Sequence, residues 1–317
     1  MKQKGAYLMA NNMKNRIIAL LLTIVGVLCC ACSSEETAAP VEPVTDEETV
    51  EDTRHEEITI LFTGNLMGAA KTEADLKAVS ERAEELKKSD ILVDIVDCGN
   101  HVSADGSASL ETALGTLKAM RSAGYSHVVL NGHEFDFGID GIRQMLAAEG
   151  PRSMSCNFRY SGFSDDITKE VARFDVTEIG SVRIGYVAVT DIAVQNSHSD
   201  FFIEDGRIAY SFCGRSSSFL ADTIQNSINA CKSEGADIVV VISGLRSGET
   251  ANIVDLAQQT TDADAFICSY EGESEPMDSV VLNGRSKEVP IGVVKGGLGT
   301  YGELRVSPEG KITFAFK

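Results

Sequence analysis

"AGYSHVVLNGHEFDFGIDGIRQML", residues Ala123–Leu146, decides how the rest of the chain is read. His127 to Leu130 is an apolar run with the length of a short buried strand, and Ile139 to Ala148 has the spacing of a helix. Between them lies a glycine-flanked loop that places the His133 imidazole three residues before the Asp136 carboxylate. A carboxylate fixes the tautomer of a neighbouring imidazole, which serves proton transfer and plain loop capping alike. Open α/β sheets bind their ligands at the carboxyl ends of strands, where this loop falls.

The same alternation continues on both sides. Ile58 to Phe62 and Ile91 to Val96 read as strands. Glu73 to Lys88, Leu110 to Ala123, Phe219 to Glu234 and Thr250 to Gln259 read as helices. Met154 to Cys156, Asp237 to Ile242 and Ala265 to Ser269 are further short strands. Arg173 to Ile179 and Val182 to Thr190, joined by Gly180-Ser181, predict a hairpin. Val289 to Val294, Tyr301 to Ser307 and Ile312 to Phe316 close the chain as strands. The expectation is an α/β domain from residue 58 to 317, with two β-sheets facing each other and helices outside.

The residues that follow each strand are the candidate site. They are Thr63-Gly-Asn65-Leu-Met67-Gly68, Asp97-Cys-Gly-Asn100-His101, Asn131-Gly132-His133-Glu134, Ser243-Gly244-Leu-Arg246 and Ser269-Tyr270-Glu271-Gly272. "ITILFTGNLMG", "VDCGN", "EGADIVVVISGLRSGE" and "DADAFICSYEGES", together with the opening block, resemble the 5′-nucleotidase branch of the calcineurin-like metallophosphoesterases. The likeness covers Ile58 to Lys317. It implies a four-layer metallophosphoesterase-like fold and a site for two divalent metals that polarise a phosphoryl oxygen and activate water. Many secreted members carry a second domain that binds the nucleotide base. Here that domain is expected to be absent, since Lys317 stands where the first domain ends.

Set on the family's pattern, the ligand positions are changed throughout. The D-x-H motif becomes Asn65 and Met67, the bridging aspartate becomes Asn100, and the asparagine before His133 becomes Gly132. The distal histidine positions hold Gly244, Tyr270 and Gly272, and no histidine follows His198. Glycine offers no donor, a thioether is a poor ligand for a hard cation, and an amide lacks charge. Without a bridging carboxylate nothing screens two dications from each other. His133 and Asp136 match the family's catalytic pair and stand here as a retained dyad.

Three readings follow. The first is a non-catalytic member that keeps the fold as a binding or interaction module, with no cofactor and an unidentified protein or small molecule as partner. The alternative is a phosphohydrolase on nucleotides or related phosphoesters whose rearranged site holds two metals (Mn, Zn or Ca) through Asn65, Asn100, His101, His133 and Glu134. The third is a metal-free enzyme with His133 as base or nucleophile, for which Arg246 is the one cation at a strand end. His101 itself reads as a surface or loop histidine, Asp97 as a strand-end cap, and Glu134 and Glu271 as replacement carboxylates. "VKGGLGTYG" is a glycine-rich turn without the spacing of a phosphate loop.

The N-terminus reads differently. Lys14 and Arg16 precede the apolar run Ile17 to Leu28, and Cys29-Cys30-Ala31-Cys32-Ser33-Ser34 follows. That order resembles a bacterial lipoprotein signal over residues 1–32, with Cys32 as the lipidated residue. An uncleaved membrane anchor competes with it, although the run is shorter than the ~20 apolar residues a spanning helix needs. Residues 33–57 hold ten acidic residues, one arginine and two prolines, the composition of a solvated tether. The implied location is the outer face of a bacterial cytoplasmic membrane, with the membrane as partner through the lipid. A net charge of −19 and the lack of tryptophan argue against nucleic-acid binding. Five cysteines remain beyond the leader, none in a C-x-x-C pair, and Cys98, Cys156 and Cys268 sit in apolar runs as buried thiols.

Overall fold

Two six-stranded sheets carry the architecture, one of order β16 (Ile312–Phe316), β15 (Gly302–Val306), β1 (Ile58–Thr63), β2 (Leu92–Asp97), β3 (His127–Val129), β4 (Arg152–Met154) and one of order β13 (Met277–Leu282), β14 (Glu288–Lys295), β12 (Ala265–Tyr270), β11 (Ile238–Ser243), β7 (Val182–Val189), β6 (Phe174–Ile179). The computed structural model describes residues 56–103, 108–214, 216–245, 252–270 and 276–317. These belong to one compact unit, Asp52–Lys317. The signal-like segment, Cys32 and most of the acidic tether lie outside the described residues, as do Arg246, Glu271 and Gly272.

The chain runs β1 (Ile58–Thr63), α1 (Lys77–Lys87), β2 (Leu92–Asp97), α2 (Leu110–Ser122), β3 (His127–Val129), α3 (Gly138–Ala147), β4 (Arg152–Met154) and β5 (Phe158–Tyr160). It continues with β6 (Phe174–Ile179), β7 (Val182–Val189), α4 (Val194–Ser197), β8 (Ile203–Glu204), β9 (Arg207–Ile208), β10 (Tyr210–Phe212), α5 (Ser217–Ser233) and β11 (Ile238–Ser243). It ends with α6 (Ile253–Gln259), β12 (Ala265–Tyr270), β13 (Met277–Leu282), β14 (Glu288–Lys295), β15 (Gly302–Val306) and β16 (Ile312–Phe316). Short 3-10 turns at Gly132–Phe137 and Ser199–Phe202 bear on the site below.

Why four layers form is visible in the packing. β1, β7, β11 and β12 are buried along nearly their whole length, as continuous apolar runs in parallel sheets must be. Ile58, Ile60, Phe62, Ile184, Val240 and Ile242 meet between the sheets. Leu76, Val79, Ala83 and Leu86 press α1 onto the outer face of the first sheet. Leu220, Ile224 and Ile228 press α5 onto the outer face of the second. Ser109, Ser216 and Asn252 cap α2, α5 and α6 by accepting backbone N–H groups, so those helices start where the polar cap stands. The expected hairpin closes through Gly180 at φ +61°.

Three features differ from the sequence reading. The strand expected at Met154 to Cys156 ends at Met154, because the Cys156 amide donates to Ala188 O, in the opposite sheet, at 2.7 Å. Residues 191–212, to which the sequence reading assigned no element, contain α4 and the strands β8 to β10. Phe202, Tyr210 and Phe212 pack there on Phe135 and Phe158 to form a separate aromatic core. β13 was also unexpected, since "MDSVVL" lacks the strict alternation that marks a half-buried strand.

Candidate functional site

The carboxyl ends of β1, β2, β3, β7, β11 and β12 come together in one crevice, where the described candidate positions are joined by backbone and side-chain hydrogen bonds. Asn65, Met67 and Asn100 all adopt left-handed φ values of 51°, 53° and 58°. Asparagine tolerates that region and methionine does so at a cost, a strain that collects at functional loops. The Asn65, Met67 and Gly68 amides donate to Gly99 O, Asn100 O and His101 O, each at 2.9 Å, so the first two loops zip together.

Their side chains form a relay of neutral groups. Asn65 Nδ2 donates to Ser269 Oγ at 2.9 Å, Asn100 Nδ2 donates to Asn65 Oδ1 at 2.9 Å, and the His133 amide donates to Asn100 Oδ1 at 3.1 Å. Asn65 is 8 % exposed and Asn100 is 3 % exposed, so both amides are held away from water. A second link crosses beside them. Asn131 Nδ2 donates to Gly244 O at 2.7 Å, and Asn131 Oδ1 accepts from the Asp191 amide at 3.1 Å.

Gly244 and Gly132 explain how this came about. A Cβ on Gly244 would lie 2.6 Å from Asn131 Cγ, so Asn131 fills the space that a side chain at 244 needs. A Cβ on Gly132 would meet only Asn100 Oδ1, at 3.5 Å, which is ordinary contact. Asn131 therefore turns its amide inward and leaves position 132 open. Tyr270 ends β12 half-buried beside Ser269, and Met67 is half-buried in the first loop.

His133 and Asp136 lie in direct contact. His133 Nδ1 and Asp136 Oδ2 are 2.9 Å apart, on side chains 19 % and 11 % exposed. The other oxygen, Asp136 Oδ1, lies 2.8 Å from His198 Nε2, so one carboxylate holds two imidazoles. His198 comes from the turn between α4 and the Ser199–Phe202 segment, and nothing in the sequence spacing pointed to it. Asp191 was equally silent, although it directly follows the β7 strand end.

Two expectations are corrected. His101 lies in a loop, as read, but not on the surface: it is 1 % exposed, with Nδ1 3.3 Å from both Asp97 Oδ1 and Glu134 Oε1. Burial pulls its pKa down, but the Glu134 and Asp97 carboxylates outweigh that and hold it above the usual imidazole value. Glu134 is not a spare ligand. Fully buried, it accepts from the amides of Asn100, His101, Val102 and Asn131, which binds the second and third loops into one frame. Asp97 caps its strand end as expected, accepting from Thr63 Oγ1 at 2.6 Å and the Gly99 amide at 2.8 Å.

Among the described residues no group of three or more His, Cys, Asp or Glu is placed to hold a metal ion. All five cysteines there are free, and Cys98, Cys156, Cys231 and Cys268 are buried. Burial pushes the Cys156, Cys231 and Cys268 thiols up to about 12. A separate concavity of about 810 Å³ opens between residues 161–164 and the β8–β9 hairpin, lined by Phe163, Glu204, Asp205, Arg207 and Ile208.

Solved structures share this architecture. A 5′-nucleotidase precursor from Thermus thermophilus superposes with a TM-score of 0.63 at 18 % identity, over 82 % of this chain and 53 % of that one. The fold is shared with about half of that nucleotidase. The Haemophilus influenzae NAD nucleotidase gives 0.60 at 17 % identity, over 82 % of this chain and 50 % of that one. A calcineurin-like phosphoesterase from Bacillus subtilis gives 0.57 at 13 % identity, over 83 % of this chain and 90 % of that one. This chain thus spans about half the length of the two nucleotidases. No protein-family model and no curated protein matches it.

Proposed function

We propose that this chain is an exported lipoprotein whose 5′-nucleotidase-like domain is catalytically silent and works as a binding or interaction module. The observation that carries this reading is the neutral relay Ser269–Asn65–Asn100, with Asn131 seated against Gly244. Two divalent cations need several anionic or imidazole donors with lone pairs turned inward. The residues present do not fit them. Their amides are engaged with one another, Glu134 is consumed by four backbone N–H groups, and Asn131 occupies the room of a ligand at 244. A bridging carboxylate is replaced by Asn100, so nothing offsets the repulsion of two dications a few ångströms apart.

The Cys32 signal pattern and the acidic residues 33–57 support export and tethering. Among the described residues no helix is long and apolar enough to cross a membrane. The 810 Å³ concavity beside Phe163 gives the binding reading a place on the surface. One observation favours the alternative, an active phosphohydrolase: the His133–Asp136 pair keeps its 2.9 Å geometry.

Metal content tests the proposal. The purified full-length chain is equilibrated with manganese, zinc or calcium, freed of loose ions and counted by elemental analysis. The expected result is near zero metal per chain, with no hydrolysis of a 5′-nucleotide or a phosphate bis-ester. About two metals per chain, or a hydrolysis that His133→Ala abolishes, overturns it.

A further inference from the structure

β13 is the outermost strand of the second sheet. It pairs with β14 through all six residues, from Met277↔Val293 to Leu282↔Glu288, without a bulge. Among the described residues its other side carries no strand. Edge strands usually carry charge, proline or a bulge that blocks further pairing. β13 has one charged residue, Asp278, while Met277, Val280 and Leu282 are 54 %, 59 % and 57 % exposed.

The direction of those side chains is fixed by their partners. A Cβ on Gly292 would lie 2.3 Å from the Phe314 ring of β16, so that face of β14 looks at the first sheet. Asp278 pairs with Gly292, Val280 with Pro290 and Leu282 with Glu288, and paired residues share a face. Val280 and Leu282 therefore extend the apolar face that the first sheet covers further in. β16 is the last strand of that sheet, so the cover ends there. Ile312, Phe314 and Phe316 remain only partly buried along the same flank.

We propose that β13 pairs antiparallel with β13 of a second copy of this chain, about a two-fold axis through Val280, making one continuous sheet from two. The open main chain of β13 calls for a strand, and a closed two-fold contact is the commonest way for identical surfaces to meet. Centred on Val280, the register sets Val280 against its counterpart, Asp278 against Leu282 and Ser279 against Val281. No like charges face each other across the strands. The two overhanging apolar strips then lie side by side on one face. Centring on Ser279 instead would set Pro276, which has no N–H, against Leu282. The inference does not depend on whether the crevice is catalytic.

Cysteine cross-linking of the full-length chain tests it. Val280→Cys, mildly oxidised, is expected to give a species of twice the chain mass on a non-reducing gel. The parent chain and Thr313→Cys, on the exposed face of edge strand β16, are expected to give none. In sedimentation the parent should run as a dimer and Val280→Lys as a folded monomer. Leu282→Asp, which would face Asp278 of the second copy, serves in its place if Val280→Lys fails to fold. No cross-link at 280 above the Thr313→Cys background, a monomeric parent, or a band joining the chain to a different protein overturns the proposal.

Discussion

At the scale of single residues, the crevice is decided by the order of two neighbours, Asn131 and Gly132. The side chain of Asn131 is turned inward because its amide finds Gly244 O and the Asp191 N–H, and it stays because Gly244 leaves room. Gly244→His is therefore expected to destabilise the protein by about 1–3 kcal/mol, the usual range for overpacking a filled site. Chemical denaturation measures this. Adding Asn131→Gly and Gly132→Asn should recover most of the loss, and a neutral effect of Gly244→His alone would show that the space is not filled. Sequence reasoning singled out these loop positions as the candidate site. It did not show that the amides bond to one another, because hydrogen bonds between loops 35 and 204 residues apart leave no trace in local spacing.

At the scale of elements, the segment from α4 to the β8–β9 hairpin is latched to the His133 loop by His198 on Asp136 Oδ1. Phe202 and Phe212 fasten its far side onto Phe135. Removing the imidazole should loosen the near side alone. His198→Ala is expected to speed amide exchange about ten-fold or more in residues 194–204, roughly the loss of one charge-assisted hydrogen bond. His133→Ala, which leaves the His198 contact in place, should leave exchange in that segment unchanged. Exchange followed by mass spectrometry reads both. This segment was the least legible part of the fold. Its strands are two or three residues long and are held by an aromatic core assembled from distant positions, whereas β1, β7 and β11 announce themselves as long apolar runs.

At the scale of the whole molecule, a polar chain joins the two sheets away from the crevice. Tyr186 Oη donates to Asp94 Oδ2 at 2.7 Å, and Ser126 Oγ donates to the same oxygen at 2.9 Å. Ser126 contacts His127 Nδ1, His127 Nε2 lies 2.9 Å from Asp175 Oδ2, and Arg152 pairs with Asp175 Oδ1. The His127 hydrogen bond holds the Asp175 carboxyl below its ordinary pKa, against burial, with Arg152 adding to it. A lowered folded-state value stabilises the protein above the unfolded value of about 3.9 and loses that contribution as pH falls through the folded one. Asp175→Asn should then be less stable than the parent near neutrality, with the gap closing as the pH drops below about 4. Urea midpoints across that range measure it, and a gap that stays constant would deny the linkage. The facing sheets were legible from strand order and apolar runs. This bridge was not, because it depends on which residues of β2, β3, β6 and β7 come to lie opposite one another.

The packing of Asn131 against Gly244 also couples two positions far apart in the chain. A histidine placed at 244 alone would overpack the loop, and an asparagine moved to 132 alone would leave Gly244 O and the Asp191 amide without their partner. Each single change costs stability where the two together would fit. Substitutions at 131, 132 and 244 are thus expected to be tolerated in combination and resisted one at a time.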